Sequence, residues 1–146
     1  MLDGLFLAPA VTAIGEALAS AHADGAVGVV GHAALVRAIV SSRTGREVVA
    51  IDLSARAAKK LAGRKLADVE PRSLAAVIAV DVTKAEAWQD QLAAWSAIVR
   101  DGGAIVLLDR GRAMAASKRA LCAGLSKLEQ RHAGRAVVTS GLVTHL

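Results

Sequence analysis

The 146-residue sequence predicts a single α/β domain, a mainly parallel β-sheet with helices on both of its faces. Short apolar runs rich in β-branched residues alternate with longer amphipathic segments, which indicates right-handed βαβ units. The composition is 54% hydrophobic, which suffices for a buried core in a chain of this length. The alternation ends in two consecutive strand-like segments, and these predict a closing hairpin.

The first half of the chain predicts one helix followed by two strand–helix pairs. Pro9 is favoured in the first turn of a helix, so we expect the helix to begin there and to end near Asp24-Gly25. The apolar run after it is short and β-branched, as in strands that are buried on both faces. In order, the elements after the first helix are a strand at Val27–Val30, a helix in AALVRAIVSS, a strand at Val48–Ile51, a helix in ARAAKKLAG and a weak strand in LADVE.

The second half opens with another buried strand, Ala76–Val80, and a helix that has clear sequence markers. Thr83 and Glu86 form a capping box, which predicts that the helix begins at Thr83. The glycines of RDGG predict its end in a left-handed cap. An apolar stripe at helical spacing predicts the inner face, and it consists of Trp88, Leu92, Trp95 and Val99.

The last elements complete the alternation and then depart from it. A strand at Ala104–Leu108 precedes a helix in AMAASKRALCAGL. The tail predicts a hairpin, with strands at Leu125–Arg131 and Ala136–Thr144 joined by the turn HAGR. A helix followed by a hairpin brings the final strand back antiparallel to its neighbours.

The composition argues against several kinds of site. Cys122 is the only cysteine, so it forms no disulfide within the chain, which fits a reducing, cytoplasmic location. No apolar run reaches the roughly 20 residues that a membrane span needs. Asp3 and Glu16 argue against an N-terminal signal peptide. We expect no metal site, because zinc-ligand spacing is absent among the four histidines, His22, His32, His132 and His145.

The formal net charge of +5 and the pI of about 10.0 raise the question of a nucleic-acid partner. The chain has no tyrosine, one phenylalanine and two tryptophans, which are few for stacking on bases. We therefore expect a solvated basic surface rather than a nucleic-acid site. The basic residues occur in small groups along the chain, among them Arg43 with Arg46, Lys59 with Lys60, Arg64 with Lys65, Arg110 with Arg112 and Lys118 with Arg119.

Four segments together resemble the class I S-adenosylmethionine-dependent methyltransferases. They are VVAIDLSARAAKKLAG, LAAVIAVDVT, WSAIVRDGGAIVLLD and CAGLSKLEQRHAGRAVVTSGLV. The resemblance implies a Rossmann-like, seven-stranded mixed sheet of order 3-2-1-4-5-7-6, in which strand 7 is antiparallel. It begins at about Gly25, so it divides the chain into an N-terminal helix, residues 1–24, that packs on a methyltransferase-like domain, residues 25–146.

The resemblance places the family's cofactor loop at VGVVGHAALV. The family pattern, acidic-x-Gly-x-Gly-x-Gly, falls on four positions of this chain, which are Val29, Gly31, Ala33 and Leu35. Glycines let the backbone approach a ligand and take angles that other residues avoid. The acidic residue anchors the amino-acid end of the cofactor. Since only Gly31 is retained, the resemblance implies an eroded S-adenosylmethionine site, with Gly31, His32 and Ala33 as its remaining loop contacts.

Two acidic residues at predicted strand ends are further candidates for this crevice. Asp52 follows Gly31 by about 20 residues, the spacing at which an acid binds ribose hydroxyls in nucleotide folds. Alternatively, Asp52 caps the next helix together with Ser54. The resemblance implies that Asp81 approaches the transferred methyl group, which makes it a cofactor contact and, with His32, a weak catalytic candidate. Its DVTK sequence lacks the Asp/Asn-Pro-Pro-aromatic signature of amino-group methylation.

Three hypotheses about function stay open at this point. The favoured one is a methyltransferase-like module that no longer catalyses and serves as a binding or assembly component for a protein partner or a second copy. An active S-adenosylmethionine-dependent methyltransferase of a small molecule is the alternative, and a basic nucleic-acid-binding protein is the third. Arg110 and Arg112 follow the fifth family strand, where they hold an anionic group or stay solvated.

Overall fold

The computed structural model describes residues 4–21, 23–42, 45–82 and 85–145. This part of the chain forms one mixed sheet with helices on both faces, which confirms the predicted α/β class. In chain order the elements are α1 (Gly4–Ala19), β1 (Val27–Val30), α2 (Ala33–Ser41), β2 (Val48–Ile51), α3 (Ala55–Leu61), a 3-10 helix (Leu66–Asp68), β3 (Leu74–Val80), α4 (Trp88–Ile98), β4 (Val99–Arg110), α5 (Ala113–Cys122), β5 (Ser126–Ala133) and β6 (Ala136–Leu142).

The sheet has six strands in the order β2-β1-β3-β4-β6-β5. The first four of these are parallel, and β6 runs antiparallel to both β4 and β5. The predicted direction of the last strand is therefore confirmed. The last strand lies inside the sheet between β4 and β5, so β2 and β5 form its two edges.

The predicted seventh strand in LADVE is wrong for the described residues, because this segment forms the 3-10 helix. Leu66 is half-buried and Val69 is buried, and both belong to the apolar packing beneath the sheet. Their separation of three residues matches the 3-10 turn rather than the two-residue period of a strand. A single parallel bridge joins β2 to the residues just before this segment, between Ile51 and Arg64.

Both boundaries of two helices also differ from the predictions. Helix α1 begins at Gly4, so Pro9 lies inside it past the first turn, and it ends at Ala19 rather than near Asp24-Gly25. Helix α4 begins at Trp88 with Ala87 as its N-cap, whereas the predicted cap, Thr83, lies outside the described residues. The same helix ends at Ile98, so the Gly102–Gly103 pair belongs to β4, where the pairing register with β3 shifts.

Two apolar layers cover the sheet, and alternate strand residues enter each of them. Helices α1 and α2 cover one face, in a layer that contains Ile14, Leu35 and Ile78. Helix α4 covers the other face, in a layer that contains Leu92 and Trp95. Because the predicted tryptophan stripe supplies part of this second layer, its core role is confirmed. No helix in the described ranges is both long and apolar enough to cross a membrane.

Candidate cofactor crevice at the carboxyl edge of the sheet

The carboxyl ends of the four parallel strands meet along one edge of the sheet. The chain runs from β1 to β2 on one side and then continues with β3 on the other side of β1, so a switch point lies between β1 and β3. Open α/β sheets bind ligands at such points. A cleft of about 180 Å³ lies here, and its lining residues are Val30, Gly31, Ala79, Val80, Asp81, Val82, Ala85, Gln91 and Trp95.

The loop after β1 turns sharply at Gly31, the retained glycine of the family pattern. Gly31 has a φ of +69°, a conformation that glycine adopts without strain. A Cβ at this position would meet no atom within 4 Å, so the angle rather than the available space calls for glycine. The Gly31 amide donates a hydrogen bond of 2.8 Å to the carbonyl of Ile51, which ties the loop to the end of β2.

The two apolar replacements in the pattern are part of the core. Val29 and Leu35 are both 0% exposed and lie in the layer beneath α1 and α2. Ala33 is the first residue of α2 and is half-buried. The position where the family has an acidic anchor therefore holds a side chain that faces hydrocarbon, and position 35 is filled by a packed leucine.

His32 is the N-cap of α2, and its Nδ1 accepts a hydrogen bond of 3.1 Å from the amide of Leu35. In the neutral ring, Nε2 then carries the proton. Burial lowers the pKa of His32 from its usual value of 6.5, and this effect outweighs the opposing influence of the Asp81 carboxylate. Burial therefore favours the neutral ring, which caps α2 through Nδ1.

Asp81 follows β3 and is exposed at the cleft, with a φ of +57°. Its amide donates to the carbonyl of Leu108, which holds the turn against the end of β4. Asp81 therefore lines the cleft, whereas His32 precedes α2 and is not among the residues that line it. No group of three or more histidine, cysteine, aspartate or glutamate residues able to hold a metal ion occurs in the described ranges.

Asp52 lies at the end of β2 and is also exposed, with a φ of +51°. Its Oδ1 accepts a hydrogen bond of 2.9 Å from the amide of Leu66, at the start of the 3-10 helix. The cap of α3 is Ser54, whose hydroxyl accepts from the amide of Ala57. The Asp52 carboxylate therefore has a structural partner, and it holds the segment that follows α3 against the sheet edge.

The residues after β4 are divided between the core and the surface. Asp109 is buried at 1% exposure, whereas Arg110 and Arg112 are exposed. Arg112 is the N-cap of α5 in a left-handed conformation, with a φ of +60°. These two guanidinium groups lie on the carboxyl edge, but neither lines the cleft.

Two residues that the sequence analysis did not assign to the crevice line its cleft. Gln91 and Trp95 project from α4, so Trp95 serves both the core and the cleft wall. Nearby, the guanidinium of Arg119 lies 5.1 Å from the Trp88 ring centroid and donates to the carbonyl of Val82. The helical spacing of the tryptophans was the available signal, and it favoured core packing over a ligand platform.

Comparison with known proteins matches this chain to solved structures of similar fold. No protein-family model matches the chain, and no curated protein matches it. A chain of the complex between the Haloferax volcanii Trm112 methyltransferase activator and a methyltransferase aligns with a TM-score of 0.71 and 13% identity, over 93% of this chain and 90% of that one. An O-methyltransferase family protein from Burkholderia thailandensis aligns with a TM-score of 0.67 and 18% identity, over 93% of this chain and 55% of that one.

The T. thermophilus 16S rRNA N2 G1207 methyltransferase RsmC, solved with AdoMet and guanosine, aligns with a TM-score of 0.62 and 12% identity. The alignment covers 88% of this chain and 38% of that one, so this chain spans well under half the length of that enzyme. The TM-scores demonstrate a shared fold, and at identities this low they leave the activity open. The resemblance to the class I S-adenosylmethionine-dependent methyltransferases is confirmed at the level of structure.

Proposed function

We propose that this chain, which has the class I methyltransferase fold, is a non-catalytic module that acts as a binding or assembly component. The observation that carries the proposal is the complete burial of Val29 in the apolar layer beneath α1 and α2. At that position the family has the acidic anchor for the cofactor's amino-acid end. Since a carboxylate there would lie in hydrocarbon, this core has been built without the anchor.

The geometry of the loop supports the same conclusion. Leu35 fills the third glycine position with a fully buried side chain, and Ala33 restricts the backbone at the second. The His32 ring accepts the hydrogen bond of the Leu35 amide, which removes one of the backbone donors that a helix N-terminus offers to a ligand. S-adenosylmethionine therefore does not fit the residues present, and we expect no methyl transfer from it.

The size of the cleft supports the proposal independently. The space at the switch point is about 180 Å³, whereas pockets that enclose small molecules measure roughly 300–1,000 Å³. Asp81 is exposed there, so water reaches the carboxylate that would lie beside a reacting group. A site open to water provides little of the electrostatic preorganisation on which catalysis depends.

The role that we assign is binding to a protein partner or to a second copy of the chain. Support comes from one structure with this fold, which forms a complex with a methyltransferase activator. We further propose a cytoplasmic location and the division of the chain into an N-terminal helix, residues 1–24, and a methyltransferase-like domain, residues 25–146. Burial of Ala13, Ile14 and Ala17 in the shared apolar layer supports the packing of that helix on the domain.

The test is a calorimetric titration of the full chain with S-adenosylmethionine and with S-adenosylhomocysteine. The missing anchor and the restricted loop each cost about 2 kcal/mol, which together move a micromolar site to a Kd of about 1 mM. We expect no heat of binding below that concentration. The same absence is expected for Asp52→Ala and for its matched control Asp68→Ala, which removes an exposed carboxylate from the 3-10 helix.

An active methyltransferase is the second candidate, favoured by the exposed carboxylates of Asp52 and Asp81 at the ends of the two strands that flank β1. Micromolar binding by the unmodified chain would contradict our proposal. If Asp52→Ala abolished that binding and Asp68→Ala preserved it, the nucleotide site would be functional. Asp52 would then exchange its hydrogen bond to the Leu66 amide for ribose hydroxyls.

A further inference from the structure

One short region at the β2 edge of the sheet carries several basic residues and no acidic one. Residues 53–67, which we call the basic segment, run from the end of β2 through α3 to the start of the 3-10 helix. The segment holds five of the eighteen basic residues and none of the thirteen acidic ones, so the remainder of the chain has thirteen of each. Its five positive charges lie on Arg56, Lys59, Lys60, Arg64 and Lys65, and the exposed carboxylates of Asp52 and Asp68 flank the segment.

Helix α3 presents three of these cations on one face. Arg56, Lys59 and Lys60 have the i, i+3, i+4 spacing of neighbours on a helix surface, and all three are exposed. The opposite face carries Leu61, which is half-buried against the apolar layer. Helix α3 has no fully buried residue, so nearly all of its surface outside that contact is open to solvent.

The end of the segment is held in place by its backbone. The Arg64 amide donates 2.9 Å to the carbonyl of Ala50, and the Arg64 carbonyl accepts 2.8 Å from the amide of Asp52. The Asp52 carboxylate in turn accepts from the Leu66 amide. Arg64 and Lys65 are thus anchored at the edge of the sheet, and their side chains are exposed.

Nearby acids do not neutralise this surface. Within the part of the chain that the structure describes, none of the five cations lies within ion-pair distance of a carboxylate, while Arg131 pairs with both Glu16 and Glu129. Unpaired cations that are close together along the chain create a positive potential that attracts anionic partners. The surface is therefore electrostatically available to a partner.

We propose that the basic segment binds the phosphate backbone of double-stranded nucleic acid, without regard to sequence. Five positive side chains along one edge match the regular negative charge of a duplex. The segment has no aromatic residue, so it lacks the stacking platforms that single-strand binders use. It also lacks the aromatic anchors that dominate protein–protein interfaces. This role goes beyond the function proposed above and does not depend on the state of the cofactor crevice.

The experiment measures fluorescence anisotropy of a labelled 20-base-pair DNA duplex titrated with the full chain between 50 and 200 mM salt. Neutralising five phosphates predicts a slope of about −4.5 for the logarithm of affinity against the logarithm of salt concentration. Lys59→Gln with Lys60→Gln is expected to make the slope less steep by about 2, since each phosphate contact contributes about 0.9. A single strand of the same length is expected to bind more weakly than the duplex.

The matched control removes the same charge from the opposite edge of the sheet. Lys118→Gln with Lys127→Gln changes two exposed lysines on α5 and β5, and we expect the salt slope to stay unchanged. An equal loss of slope in both double variants would overturn the proposal, because the attraction would then be a property of overall charge. Tighter binding to the single strand would also overturn it.

A different role for the lysines gives a distinguishable result. Lysines beside an edge strand protect it from pairing with other chains, and β2 is such an edge. If the Lys59→Gln/Lys60→Gln protein self-associates in sedimentation while its duplex binding is unchanged, the basic segment guards the edge and does not bind nucleic acid. Failure of this proposal leaves the cofactor titration unaffected, because that titration probes the β1–α2 loop.

Discussion

The centre of the sheet and its β2 edge differ in how tightly they are packed. Around β3, β4 and β6 the strands are seven to twelve residues long, and nearly every residue from Ala104 to Leu108 and from Ala136 to Gly141 is buried. At the β2 edge the strand has four residues, and neither α3 nor the 3-10 helix contains a buried residue. The central strands hold the fold together, so the β2 edge is free to present polar groups and charge.

The largest expected effect tests this contrast in packing. Trp95 is 4% exposed between α4 and the sheet, so Trp95→Ala should lower the free energy of unfolding by about 3–5 kcal/mol. Leu61→Ala in half-buried α3 should cost about 1 kcal/mol. Urea unfolding of both variants measures the difference. Equal losses of unfolding free energy would mean that the centre of the sheet and its β2 edge contribute equally to stability, which would contradict the contrast.

The second test compares two glycines, Gly103 in the central strand β4 and Gly31 in the β1–α2 loop. A Cβ on Gly103 would lie 2.5 Å from the carbonyl oxygen of Ala75 and 2.5 Å from Val99 Cγ1, so Gly103→Ala should cost about 3 kcal/mol. Gly31→Ala has open space and meets only its φ of +69°, a cost of about 1–2 kcal/mol. Thermal unfolding should rank the two variants in this order. The reverse order would show that the β1–α2 loop is the more constrained site.

The smallest effect concerns the pH dependence of stability at His32. Because burial lowers the pKa of His32 below 6.5, the folded state binds fewer protons than the unfolded state near that pH. This contribution to stability is fully present above about pH 6.5 and is lost as the pH falls through 6.5 towards the folded pKa. Protonation also removes the Nδ1 acceptor of the helix cap.

His32→Asn provides the matched reference, since asparagine is a good N-cap and does not titrate. We expect the stability of the unmodified chain relative to His32→Asn to decrease between about pH 7.5 and pH 5.5, measured by urea unfolding at each pH. A difference that does not change with pH would contradict the assignment of His32 as a half-buried, neutral cap.

Prediction from sequence succeeded where local periodicity and long-range packing agree. The strand at Val27–Val30 and the inner face of α4 at Leu92 and Trp95 were predicted from apolar spacing, and both are core elements. It failed in LADVE, where two inward residues three positions apart form a 3-10 turn instead of a seventh strand. In the same way, Gln91 and Trp95 line the cleft because of how α4 lies across the sheet, which the order of residues does not reveal.

By itself the sequence determined the alternation of strands and helices, the antiparallel ending and the loss of the family's loop residues, because these depend on the types of neighbouring residues. Only the tertiary structure decided what those residues do. Val29 became core because α1 and α2 cover it, and Asp52 acquired the Leu66 amide as a partner because the chain returns beside β2. The basic segment became an exposed surface because the edge of the sheet leaves α3 without a second partner. Burial and pairing arise between residues that are distant in sequence, so their outcome is set by the assembled fold.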